Sequence, residues 1–178
     1  RQGYGPDGEP LDLTMTIAAG DTDEMLVGAS MKSNLAELGI DLDVQPLEWQ
    51  AQWDRAISDN LDERQDIFVM YWWPDYPDPF SWFISMFYTE EEPNFNLAYY
   101  SDPDMDAAID EIQSLTVTDR EAAEAKYIEM QQQLIDDAVV VAPYVQNYQR
   151  ALDASVAGYV DDPAYAQVPF VYEMSPQG

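Results

Sequence analysis

The residues best suited to binding chemistry lie between positions 71 and 83, where aromatic rings, prolines and two carboxylates follow one another closely. The apolar run at residues 67–70 comes directly before them and is typical of a doubly buried strand. Open α/β sheets bind ligands at the edge formed by the carboxyl ends of their strands. The sequence therefore predicts a binding site in this segment.

Asp78 is expected to have a structural role in this segment. It precedes Pro79, and an aspartate followed by a proline is a strong signal for the start of a helix. The carboxylate caps the first turn, and proline fits the first helical position. We therefore expect Asp78 to cap a helix over residues 80–87.

Asp75 has no capping role, because Pro77 prevents a helix from starting there. We expect its carboxylate to lie among Trp72, Trp73 and Tyr76, where poor solvation would favour a bound cation. One interpretation is a turn aspartate that bonds its own backbone, and the other is an anchor for the ammonium group of a ligand. The predicted ligand-binding residues are Tyr71, Trp72, Trp73, Asp75 and Tyr76.

Other functions are compatible with the same residues. Trp72 and Trp73 would act as platforms for sugar rings in a carbohydrate-binding lobe. Asp75 and Asp78 would form the carboxylate pair of a glycoside hydrolase, although capping by Asp78 argues against that role. A scaffold that binds no ligand is a further alternative for this chain alone. We expect a binding protein and not an enzyme.

The chain is strongly acidic, with 35 aspartate and glutamate residues against 7 lysine and arginine residues. Hydrophobic residues make up 47% of the chain, so it is a folded domain and not a disordered acidic tail. Acids spread along a folded chain are typical of adaptation to high salt, where surface carboxylates keep a protein hydrated. The net charge of −28 argues against nucleic acid and anionic lipid as partners.

Cysteine and histidine are both absent, which excludes thiol nucleophiles, disulfides, histidine-based triads and the usual zinc sites. We expect neither a cofactor nor a metal. The sequence begins at Arg1 and shows no signal peptide or transmembrane run. We therefore expect it to be a piece of a longer protein.

The first half of the chain has the pattern of a β-α-β unit. Residues 11–17 alternate between apolar and polar as a strand does, and a second strand is expected at residues 40–44. Between them, Asp21 and Glu24 have the spacing of a capping box, and Gly39 marks the end of the helix.

The next elements are less regular. A helix carries Trp49, Trp53 and Ile57 on one face, which predicts that they pack in the core. A strand at residues 67–71 leads into the aromatic segment. Asp102–Pro103 predicts the start of another helix.

The last third predicts one long helix and two strands. Thr118 and Glu121 have the spacing of a second capping box. Ala123, Tyr127, Met130 and Leu134 would form the inward side of the helix that follows. Strands are expected at residues 139–145 and 168–172.

Six motifs occur in a fixed order along nearly the whole chain. They are residues 12–17 with Glu37-Leu38-Gly39-Ile40, Glu48-Trp49, Trp72-x-x-Asp75-Tyr76-Pro77-Asp78-Pro79, residues 96–106, Ala142-Pro143, and Val156-Ala157-Gly158-Tyr159. In this order they resemble the C-terminal lobe of the ABC-transporter solute-binding proteins of the oligopeptide/dipeptide class, family 5.

The resemblance implies an α/β fold, namely a periplasmic-binding-protein type II lobe with a mixed open sheet flanked by helices. Residues 1–150 would form the ligand-binding lobe, and residues 151–178 would return to the other lobe of the full-length protein. In peptide-binding members, the aspartate of the Trp-x-x-Asp motif pairs with the α-ammonium group of the ligand, and that position is Asp75 here. Val69 and Met70 stand where some members place a basic residue for the ligand's carboxylate.

The resemblance also implies the partners and the location. These are a small solute or peptide, an ABC permease reached through the full-length protein, and the cell surface with a membrane anchor. We expect a monomer that captures an oligopeptide or dipeptide, with sugar or another small solute as the alternative.

Overall fold

The computed structural model describes residues 8–145, 147, 149–162, 165 and 168–176. The chain divides into two compact units, the first made of residues 1–71 and 89–100 and the second of residues 72–88 and 101–178. Both units combine helices with strands, which confirms the α/β prediction. Across the described residues, every helix is too short or too polar to cross a membrane.

The first unit is a parallel sheet with two helices. Its elements in chain order are β1 (Leu11–Ala18), α1 (Thr22–Glu37), β2 (Ile40–Leu47), α2 (Trp49–Ala56) and β3 (Ile67–Phe68). The strand order is β2-β1-β3, and β1 is parallel to both neighbours. The predicted β-α-β unit is therefore confirmed, while the third strand pairs over only two residues instead of the expected 67–71.

The core of the first unit lies between α1 and the sheet. Met15, Ile17 and Leu42 are almost completely buried there, together with Val27 from the helix. Gly28 allows the close approach of helix and sheet, because a Cβ atom at that position would lie 2.9 Å from Cγ1 of Val44.

One of the two hydrogen bonds of the predicted capping box is present at the start of α1. Asp21 accepts hydrogen bonds from the backbone N–H groups of Asp23 and Glu24, both at 2.9 Å. Glu24 does not bond back to Asp21. The N–H of Asp21 already donates to the carbonyl of Ala18, and the Glu24 carboxylate instead accepts the N–H of Ala18 at the end of β1.

The predicted core face of α2 is wrong at Trp49 and Ile57, while Trp53 is half-buried. Trp49 is 46% exposed and Ile57 is 39% exposed, whereas Gln52 and Ala56 are the buried residues of this helix. The helix packs against β1, where Thr16 is also buried. The buried side of α2 therefore carries Gln52 and Ala56 and not Trp49.

The second unit is mainly helical. Its elements in chain order are α3 (Phe80–Met86), α4 (Pro103–Thr118), α5 (Arg120–Asp136), β4 (Val156–Ala157) and β5 (Ser175–Pro176), and β4 and β5 pair antiparallel. Helix α4 packs against both α3 and α5. The four predicted inward residues of α5 are all buried, as are Met105, Ala108, Ile109 and Ile112 of α4.

Capping residues were predicted for two helices of this unit, α4 and α5. Asp102 caps α4 by accepting the N–H groups of Asp104 and Met105, as predicted. The cap of α5 is Asp119 and not Thr118. Thr118 is the last residue of α4, where its hydroxyl donates to the carbonyl of Ser114, so it is not available to the next helix.

The two strands predicted for the last third are wrong. Residues 139–145 are irregular, and Val141 and Val145 are 74% and 88% exposed. Residues 168–172 are irregular up to a short 3-10 helix, Val171–Glu173. An apolar run becomes a strand only where another strand pairs with it, and the only pairing described after residue 138 is that of β4 with β5.

Candidate functional site

The helix start at Asp78 has the predicted capping role. The Asp78 Oδ1 atom accepts the backbone N–H of Phe80 at 2.9 Å. Pro79 already has helical angles, with φ of −56° and ψ of −26°. The same carboxylate oxygen accepts the hydroxyl of Tyr127 at 3.0 Å. Because Asp78 holds these two bonds, it is a structural residue, and the carboxylate pair of a glycoside hydrolase loses support.

Tyr127 connects this helix start to α5. It is 5% exposed, and its ring stacks on that of Phe83 with 5.6 Å between centroids. Burial, together with the bond to the Asp78 carboxylate, raises the pKa of Tyr127 to about 12. The phenol therefore remains a neutral hydrogen-bond donor at physiological pH.

The backbone of Asp75 is held on both sides. Its N–H donates to the Ser81 Oγ atom at 2.9 Å, and its carbonyl accepts the hydroxyl of Tyr165 at 3.0 Å. Ser81 is 1% exposed. Neither partner was predicted from the sequence. Ser81 lies in the first turn of a predicted helix and offered a local signal, whereas Tyr165 is 90 residues away.

The expected burial of Asp75 among aromatic rings is wrong for this chain. Asp75 is exposed, and so are its neighbours Trp73 at 45% and Tyr76 at 42%. Trp72 is half-buried. The proline-rich turn lies at the surface, and the Asp75 carboxylate is therefore solvated.

Tyr76 lies close to both carboxylates of the turn. Its pKa is raised, mainly by burial and then by the negative charges of Asp78 and Asp75. The surface around Asp75 thus combines negative charge with a protonated phenol and an exposed indole. Such a surface suits a cationic group on an apolar body. Tyr71, the remaining predicted residue, is half-buried and belongs to the first unit.

A second aromatic surface lies in the first unit and includes Trp49 and Trp53, which were predicted to pack in the core. Trp49 is 5.8 Å from Trp53 and 5.9 Å from Phe68, and Trp53 is 5.5 Å from Phe95, between ring centroids. We call these four residues the aromatic row. Because Trp49 is nearly half exposed, the row offers a stacking surface.

Comparison with known proteins supports one family. A family model described as bacterial extracellular solute-binding proteins, family 5 Middle, matches residues 2–94, just over half of the chain. The probable D,D-dipeptide-binding periplasmic protein DdpA of Escherichia coli (strain K12) is 27% identical over 169 residues. That match covers 94% of this chain and 31% of the relative, so the chain spans about a third of the relative's length.

Solved structures show the same fold. Clavulanic acid biosynthesis oligopeptide binding protein 2 matches with a TM-score of 0.80 at 19% identity, over 95% of this chain and 31% of that one. The murein tripeptide binding protein MppA of Escherichia coli matches with a TM-score of 0.74 at 20% identity, over 99% and 32%. A mannohexaose-bound oligopeptide-binding protein from Thermotoga maritima matches with a TM-score of 0.62 at 20% identity, over 75% and 25%.

Proposed function

Because the chain belongs to the bacterial extracellular solute-binding proteins of family 5, we propose that it is one lobe of a protein that captures peptides for an ABC importer. The captured ligand is an oligopeptide or dipeptide, and the permease of the importer receives it. Asp75 anchors the ligand's α-ammonium group, while Tyr71, Trp72, Trp73 and Tyr76 contact its body. The chain acts by binding and carries out no catalysis.

The exposed carboxylate of Asp75 beside exposed aromatic rings carries this proposal. Asp75, Trp73 and Tyr76 are all accessible on one short turn. A carboxylate supplies the charge that an ammonium group needs, and aromatic faces bind a varied peptide body with little side-chain preference. The sequence similarity to a probable dipeptide-binding protein supports a ligand of this class.

The solvation of Asp75 has a consequence for the mechanism. An exposed ion pair contributes only about 0–1 kcal/mol, and at an ionic strength of about 1 M the Debye length falls to roughly 3 Å. At about 4 Å and an effective dielectric of about 20, an ammonium–carboxylate pair gains on the order of 4 kcal/mol before desolvation. We therefore propose that the second lobe, closing over the turn, removes water from Asp75 and makes it an effective anchor.

The experiment that tests this function uses the protein that carries the chain at full length. Mass spectrometry of the solute that co-purifies with it should identify a peptide with a free amino terminus. Calorimetry with that peptide should then show that Asp75→Asn weakens binding by about 2–5 kcal/mol. Glu111→Gln, an exposed change on α4, is the control and should bind normally. Equal affinity of the Asp75→Asn and Glu111→Gln variants would remove Asp75 from the site.

A carbohydrate ligand is the second candidate. It is favoured by the likeness to the mannohexaose-bound protein from Thermotoga maritima and by the exposed indole of Trp73. Sugar rings stack on indole faces and need no carboxylate partner for an amine. Binding that survives Asp75→Asn and is lost in Trp72→Ala or Trp73→Ala would select this candidate.

The setting of the protein is part of the same proposal. We place it at the cell surface, extracellular and anchored to the membrane through the full-length protein, as a monomer adapted to high salt. Its net charge of −28 supports the adaptation to high salt. Residues 1–150 would form the ligand-binding lobe, and residues 151–178 would return to the second lobe. Limited proteolysis and crosslinking of the full-length protein, with and without ligand, test this arrangement.

A further inference from the structure

We propose that Ser81 and Tyr165 are positioning residues that fix the backbone of Asp75 and so aim its carboxylate at the ligand. This inference rests on the proposed role of Asp75 as the anchor. It concerns two hydroxyl groups that touch no ligand and act only through the aspartate. The two groups lie on opposite sides of the Asp75 Cα atom along the chain, one at its N–H and one at its C=O.

The Ser81 hydroxyl is a rigid acceptor. Ser81 is 1% exposed and lies in α3, and its backbone N–H donates to the carbonyl of Asp78 at 3.2 Å. Its Oγ atom therefore has a fixed position when it accepts the N–H of Asp75 at 2.9 Å. The bond joins the turn to the body of the helix that Asp78 caps. Its removal would release the amide of Asp75.

The Tyr165 hydroxyl is held from the other side. Its ring contacts that of Phe170 edge-on, with 6.1 Å between centroids. Its backbone N–H donates to the carbonyl of Asp162 at 3.1 Å, and its own carbonyl accepts the N–H of Val168 at 2.8 Å. These contacts leave the phenol directed to the Asp75 carbonyl at 3.0 Å. Tyr165 thus supplies a fixed donor from residues 151–178.

Fixing both backbone groups of one residue restricts its two backbone dihedral angles. A residue that moves freely loses about 1–2 kcal/mol of backbone entropy when it becomes fixed. If that ordering precedes binding, the ligand does not have to provide it, which is how a pre-organised site gains affinity. Asp75 is exposed, so burial contributes little to holding it in place.

The test is a double-mutant cycle in the full-length protein with two probes. The first is the peptide retained most strongly from a synthetic pool of tri- to pentapeptides, and the second is its N-acetylated form. Tyr165→Phe keeps the ring and removes only the hydroxyl. We expect it to weaken binding of the free-amine peptide by about three- to tenfold, the range of one hydrogen bond. The weak residual binding of the acetylated form should not change.

The cycle also measures whether Tyr165 acts through Asp75. In an Asp75→Asn background the anchoring charge is absent, so adding Tyr165→Phe should have little further effect. Ser81→Ala should repeat the loss, and Ser81→Thr, which retains a hydroxyl, should recover part of it. Tyr172→Phe is the matched control, since Tyr172 is 95% exposed. Melting temperatures of all variants separate a loss of positioning from a loss of fold.

The outcomes separate this inference from the proposed function. If no peptide of the pool is retained, or if Asp75→Asn has no effect, the proposed function fails. If Asp75→Asn weakens binding while Tyr165→Phe does not, the anchor is correct and the positioning role is wrong. Additive losses from Asp75→Asn and Tyr165→Phe would likewise show that Tyr165 acts independently of the anchor.

Discussion

The hydroxyl of Tyr127 donates a hydrogen bond of 3.0 Å to the Asp78 carboxylate, although 49 residues separate the two in the chain. Asp78 uses the same oxygen to cap α3. This single carboxylate therefore joins the start of α3 to the middle of α5. The turn that carries Asp75 ends at this carboxylate.

Replacement of Tyr127 by phenylalanine should destabilise the protein without disturbing its core. The ring can still stack on Phe83, but the Asp78 carboxylate loses a buried donor. We expect the free energy of unfolding to fall by about 1–3 kcal/mol, as for a hydrogen bond to a charged group. Chemical denaturation measures this change. Tyr88→Phe is the control, because Tyr88 bonds Asp110 at the surface. Equal losses in the two variants would contradict the prediction.

The raised pKa of Tyr127 predicts a loss of stability at alkaline pH. The pKa rises from the ordinary value of 10.0 to about 12 in the native state. Between these values the native state binds more protons than the unfolded state, so the free energy of unfolding falls as pH rises. Denaturation curves recorded from about pH 9 to about pH 11.5 should show this slope. In Tyr127→Phe the slope should be smaller, and an unchanged slope would assign it to other groups.

Glu24 should lower stability at neutral pH through its charge. Glu24 is 2% exposed. Its pKa is raised, chiefly by burial and also by the charge of Asp21, although the hydrogen bond from the Ala18 N–H lowers it. The native state therefore binds more protons than the unfolded state just above pH 4.5, and stability falls as pH rises through the native pKa. Glu24→Gln keeps an acceptor for Ala18 and carries no charge. We expect it to be more stable than the wild type at neutral pH, with the difference shrinking towards pH 4.5.

The comparison for Glu24 uses two further variants. Glu37→Gln changes an exposed acid of the same helix and should show no such pH-dependent difference. Glu24→Ala leaves the N–H of Ala18 without this acceptor and should cost about 1–3 kcal/mol. A Glu24→Gln variant less stable than the wild type at every pH would show that the hydrogen bond of the carboxylate outweighs its burial.

Salt should stabilise the protein. The three ion pairs found among the described residues are all at exposed positions, so weakening them with salt costs little stability. The main effect of salt is to screen the repulsion between carboxylates in a chain with a net charge of −28. We expect the melting temperature to rise from about 0.1 M to about 2 M NaCl. A variant with glutamine at three exposed acids, Glu91, Glu92 and Glu121, should rise less. A melting temperature that falls with salt would contradict the high-salt adaptation.

Local chemistry explains which parts of the fold were predictable. The helix starts at Asp21, Asp78 and Asp102 were predicted correctly because a capping side chain and its N–H partners are two or three residues apart. The cap of α5 was misassigned because Thr118 and Asp119 are adjacent and both suit the role. Only the true end of α4 decides between them.

Elements that depend on distant partners were not predictable. Residues 139–145 have the composition of a strand, but a strand also needs a neighbour, and composition does not supply one. The indole of Trp49 has the spacing of a core residue, yet Gln52 is a buried side chain of α2 and Trp49 is nearly half exposed. For the same reason Asp75 was identified as a candidate, while its solvation and its bond to Tyr165 became visible only in three dimensions.

The Tyr165–Asp75 hydrogen bond joins two residues that are synthesised at different times. The ribosome makes Asp75 long before Tyr165, because Tyr165 lies 90 positions further along the chain. The turn is therefore synthesised before the hydroxyl that bonds the Asp75 carbonyl exists. A chain truncated before position 165 would retain every residue of the turn and still lack the hydroxyl that secures it. The backbone of Asp75 therefore gains its second hydrogen bond only after Tyr165 has been made.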